Sequence, residues 1–64
     1  MAQSKESQIK RFTSTAQTFK NKGDREWAYA KNGYGDEHYA KARDAYDRAQ
    51  RNLDKANILR EKNN

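Results

Sequence analysis

Few residues in this chain are of the types that carry chemistry. His38 is the sole histidine, and an imidazole beside carboxylates is the usual raw material of proton transfer or metal ligation. It stands next to Asp36 and Glu37, but no second histidine or cysteine can complete a ligand set. The absence of cysteine also excludes disulfides and thiolate metal sites. No nucleophile motif, phosphate-cradling glycine loop or paired-carboxylate pattern occurs. The expectation is therefore a protein that is not an enzyme, with no cofactor, no metal and no small-molecule substrate. His38 reads as a surface residue.

The remaining chemistry is that of contact. Lys5, Lys10, Arg11, Lys20 and Lys22 crowd residues 1–22 against Glu6 alone, in a chain of net charge +5 and pI about 9.7. Such a basic arm could meet phosphates or another anionic surface, although solubilising charge on a solvated helix face is the commoner use. Lys41, Arg48, Lys55 and Lys62 form a second basic row with a seven-residue step, diluted by neighbouring acids. Trp27, Tyr29 and Tyr34 gather near Arg25 and Lys31. They could stack on unpaired bases or cap a small core. Trp27, Tyr34, Tyr39, Tyr46 and Leu53 are the side chains best suited to anchor a protein interface.

The elements that must position these residues are helical. There is no proline, and Gly23, Gly33 and Gly35 are the punctuation. Between them, Tyr39, Ala42, Tyr46, Ala49, Leu53 and Ala56 are spaced as a heptad seam on a helix running from about Asp36 to Glu61. Asp36 suits its cap. The acid-before-base pairs Glu37–Lys41, Asp44–Arg48 and Asp47–Arg51 suit its outer face. Upstream, Ser4 is a natural N-cap, and Ile9, Phe12, Ala16 and Phe19 repeat the seam.

The middle admits two readings of equal weight. Gly23-Asp24-Arg25-Glu26-Trp27 is echoed by Gly35-Asp36-Glu37-His38-Tyr39, which favours a fresh helix start at Asp24 and three helices in all. Alternatively, residues 4–32 form one helix that tolerates Gly23 at a cost of about 1 kcal/mol. Asn32-Gly33-Tyr34-Gly35 is a turn in either case. Folding back there gives an all-α antiparallel helical hairpin, a single small domain over residues 1–64. Phe19 then sits near Tyr46 and Ala49, Phe12 near Ala56, and Trp27 near Tyr39.

Tyr39-x2-Ala42-x3-Tyr46-x2-Ala49 resembles the second helix of a tetratricopeptide repeat. The tryptophan and glycine positions of that repeat's first helix fall on Glu26 and Ala30, and there is no second copy. The resemblance implies close helix packing and nothing about activity. A helix-turn-helix drawn over the glycine turn would bring Asp36 and Glu37, two acids, to the phosphates.

A 64-residue chain with so thin an apolar complement is marginal alone. That points to self-association into a homodimer or to docking on a larger protein partner, as a small binding or regulatory protein. Nucleic-acid binding by the basic N-terminal helix is the alternative. Peripheral membrane association by the same amphipathic helix is the third reading. No apolar run reaches the length of a membrane span, no secretory h-region is evident, and a cysteine-free chain suits the reducing cytoplasm.

Overall fold

The computed structural model describes residues 4–62. Two helices, α1 (Lys5–Lys31) and α2 (Glu37–Glu61), pack against each other as an antiparallel hairpin, 49 Å long and 13 Å thick. Among the described residues there is no strand. Asn63 and Asn64, expected to fray, lie outside the described residues.

Ser4 opens α1 as expected. Its hydroxyl oxygen accepts the amide of Ser7 at 3.1 Å, satisfying one of the free donors of the first turn. The threonines are accommodated by bonding back along the helix. Thr13 Oγ1 donates to the Ile9 carbonyl at 2.8 Å, and Thr18 Oγ1 to that of Ser14 at 3.1 Å.

The helix does not break at Gly23, so the three-helix alternative and the fresh start at Asp24 are corrected. The glycine is there for space. A Cβ at residue 23 would stand 2.7 Å from Tyr46 Cε1 and 2.8 Å from Cδ1, because the Tyr46 ring lies across the helix at that point. Gly23 is a seat for an aromatic ring and not a stop signal.

α1 ends by a Schellman motif. The Tyr34 amide donates to the Tyr29 carbonyl and the Gly33 amide to that of Ala30, both at 3.1 Å. Gly33 takes φ +84°, a left-handed conformation that L side chains adopt at a cost. The Tyr34 ring meets the Tyr29 ring edge-on at 5.9 Å, the apolar contact that commonly accompanies this motif. Asp36 occupies the N-cap position of α2 but makes no side-chain cap hydrogen bond; its own helical φ/ψ differ from the extended geometry that a cap requires. Of the three acid-before-base pairs expected on α2, Asp44–Arg48 closes, at 3.0 Å.

The buried line is made of small residues: Ala16, Gly23 and Ala30 on α1, and Ala42, Ala45, Ala49 and Ala56 on α2. Ala42 and Ala56 are fully shielded. Of the expected seam, Ala42, Ala49 and Ala56 lie on this line, whereas Tyr39, Tyr46 and Leu53 are rotated off it by part of a turn. Those large side chains flank the alanine line instead of filling it. Small residues let two helices approach closely, and bulkier side chains are left at the margins of the contact.

Candidate interaction surface

The hairpin is one layer of two helices, so its large side chains emerge on two opposite flanks. On the first flank, Trp27 meets Tyr39 edge-on at 4.9 Å, as the fold-back register predicts. One step further from the turn, the Tyr46 hydroxyl donates to Asp24 Oδ1 at 2.5 Å. Donating this bond stabilises the protonated phenol, and the carboxylate repels the phenolate. Together with partial desolvation these push the Tyr46 pKa above its ordinary value, the hydrogen bond being the largest cause. Leu53 follows, lining a shallow cleft with Thr13, Ala16, Lys20 and Ala49. Ile9 and Arg60 line an open groove at the free end with Ser4, Lys5 and Glu6. Trp27 is 47% exposed and Leu53 37%.

The second flank is partly covered by charge, and it keeps apolar surface at the free end, where Ile58 is 51% exposed and lines a shallow groove with Phe12 and Leu59. Arg48 lies over the Phe19 ring at 5.8 Å and Lys55 over the Phe12 ring at 5.7 Å. Their aliphatic stems cover apolar surface while the charged ends stay in water. Near the turn, His38 Nδ1 lies 3.0 Å from Glu26 Oε2, and its ring tilts against Tyr29 at 5.4 Å. His38 is therefore a half-buried link between the helices, which corrects its reading as a surface residue.

Four of the five expected interface residues, Trp27, Tyr39, Tyr46 and Leu53, are brought to the first flank. Tyr34 is not among them. It is the most exposed of the large apolar side chains among the described residues, at 69%, but its ring leans on Tyr29 at the turn, toward the second flank. Ala45, Gly23, Asp24 and the Glu26–His38 link were missed. Only Gly23 left a signal, since it continues the seven-residue spacing from Ala16 to Ala30.

The basic residues do not form one face. At about 100° per residue, Lys10, Lys20 and Lys22 leave α1 in different directions. Lys20 borders the Leu53 cleft, Lys22 shares a cleft with Glu26 and Asp44 on the other flank, and Lys5 borders the groove at the free end. Arg11 lies on exposed outer surface.

Among the described residues no three His, Cys, Asp or Glu side chains converge as a metal site needs. No helix among them is long and apolar enough to cross a membrane. Compared with protein-family models, curated proteins and solved structures, the chain has no match in any of the three.

Proposed function

We propose that this chain is a small, non-enzymatic binding protein of regulatory type that works by protein–protein contact through the flank carrying Trp27, Tyr39, Tyr46 and Leu53. The observation that carries the reading is the mismatch between core and surface. Among the described residues every fully buried position is an alanine or a glycine, while Trp27 and Leu53 stay a third to a half exposed on this flank and Ile58 and Tyr29 stay about as exposed elsewhere. A folded chain of 7.5 kDa ordinarily exposes about 4,200 Å². This hairpin exposes 5108 Å², and the excess of roughly 900 Å² is close to the ~800 Å² that one partner contributes to a standard interface. The absence of cysteine fits action in the cytoplasm.

The basic arm makes nucleic-acid binding the second reading, with lower rank because its five bases do not share a face. Association with an anionic membrane by α1 ranks third.

A photo-crosslinking residue tests the first reading. Placed at Leu53 in the intact chain in cells, it should capture protein. Placed at Asp47, on the exposed outer face of α2, it should not. Equal capture from both positions, or capture of nucleic acid from Leu53, would overturn the reading.

A further inference from the structure

This inference rests on the binding surface just proposed and names its occupant. We infer that the flank is covered by a second copy of the same chain, stacked with its turn at the opposite end, so that Trp27 of each copy seats in the groove at the free end of the other.

Three features support it. First, Ile9 and Trp27 are five full turns apart at about 3.6 residues per turn, so both emerge on the same side of α1. They lie about 27 Å from each other along its axis. α1 runs from Lys5 to Lys31 and is centred on Thr18. A two-fold axis level with Thr18 therefore sets Trp27 of one copy level with Ile9 of the other, at both ends at once. Such an isologous contact closes after two copies.

Second, the two ends have matching chemistry. The groove beside Ile9 is open, about 490 Å³ in volume, and bordered by Lys5, Glu6 and Arg60. It offers the apolar side chain of Ile9 beside the Arg60 guanidinium, whose Nη1 donates to Asn57 Oδ1 at 3.0 Å and whose face can still stack on an indole. Trp27 projects 47% exposed from the flank at the other end. The same axis brings Lys31 level with the Lys5–Glu6 turn of the second copy. Glu6 and Lys31 are both exposed and nearly aligned along α1, so Glu6 offsets the positive charge of Lys5, which the same axis sets level with Lys31.

Third, the area suffices. The surplus surface of about 900 Å² per chain would cover one side of a standard interface. The product is a four-helix bundle, the arrangement in which hairpins of this size ordinarily close their open faces.

Trp27 is the chain's one tryptophan, and there is no native cysteine, so both can serve as probes. A nitroxide on Asn57→Cys sits on exposed α2 surface near the groove and far from Trp27 of its own chain. We expect it to quench Trp27 emission as concentration rises through the range in which sedimentation equilibrium shows dimer. Trp27→Ala should weaken self-association by about thirtyfold or more, as expected of an interface hot spot. Arg60→Glu, at the far end from Trp27, should weaken it too and shift Trp27 emission to the red, with helicity unchanged by circular dichroism.

A monomer at all concentrations would overturn the inference, as would a dimer in which the nitroxide leaves Trp27 unquenched. The underlying reading fails separately. If the crosslinker at Leu53 captures a foreign protein and never a second copy, the binding surface stands and the homodimer falls.

Discussion

Replacing Gly23 by alanine should reverse the sign that this change usually has inside a helix. Alanine is the better helix former by about 0.8–1.0 kcal/mol, and residue 23 lies well within α1, so propensity alone would make Gly23→Ala stabilising. The structure opposes this. The new methyl would stand 2.7 Å and 2.8 Å from two carbons of the Tyr46 ring and 3.1 Å from a third, all inside ordinary contact. The ring must tilt away, and overpacking of this kind costs about 1–3 kcal/mol. Tilting also strains the solvent-exposed Tyr46–Asp24 hydrogen bond, which adds to the loss. The net expectation is a loss of roughly 1–2 kcal/mol, or about 5–15 °C in Tm for a domain of this size. Thermal and urea unfolding followed by circular dichroism read it directly. A double-mutant cycle sharpens the test. With the ring removed in Tyr46→Ala, adding Gly23→Ala should stabilise by about 1 kcal/mol, because only propensity is left. If Gly23→Ala stabilises the wild-type chain, or the two changes are additive within about 0.5 kcal/mol, the ring does not occupy the space above Gly23 and the packing argument is wrong.

Other perturbations probe other parts. Ala42→Leu and Ala56→Leu should each destabilise by about 1–3 kcal/mol through overpacking, measured by the urea midpoint, because both alanines are fully shielded. Gly33→Ala should cost about 1 kcal/mol or more in the same assay, since residue 33 sits at φ +84° where a Cβ is strained. The Tyr46 phenol has its pKa raised in the fold, so its contribution to stability is fully present below the ordinary value near 10. That contribution is lost as pH rises through the higher folded value. Alkaline titration of phenolate absorbance should show Tyr46 ionising above its ordinary value, and Asp24→Asn should bring it back toward that value; a wild-type curve unchanged by Asp24→Asn would contradict this. If the basic arm binds nucleic acid, affinity should fall steeply with salt, and Lys10→Glu with Arg11→Glu should abolish most of it. Binding that survives both changes removes that reading.

The sequence made the hairpin legible because two unrelated signals agreed. Heptad spacing of apolar residues on both sides of the chain implied facing helices, and Gly33 and Gly35 marked a turn. The pairing of Trp27 with Tyr39 followed from folding back there. What stayed hidden depended on partners distant in sequence. Gly23 resembles a helix stop in isolation, and only the Tyr46 ring, brought in from α2, explains it. Glu26 and His38 are separated by the turn, so nothing local announced their contact. Ala42, Ala49 and Ala56 of the expected seam are buried, but its other half was placed on the wrong side of them, because bulky Tyr46 drew attention from neighbouring Ala45, although close helix approach favours the smaller residue. Trp27, Tyr39, Tyr46 and Leu53 could be picked out by type, but their common flank needed the rotation of both helices about the alanine line.

Sedimentation equilibrium of the intact chain, run across micromolar concentrations, tests the central claim most directly. A hairpin that, among the described residues, fully buries only alanine and glycine, and leaves apolar surface open around Trp27 and Leu53, should weigh as two chains of 7.5 kDa and return to one when Trp27 is replaced by alanine. A stable, folded species of single-chain mass at every concentration, unaffected by that replacement, would contradict it.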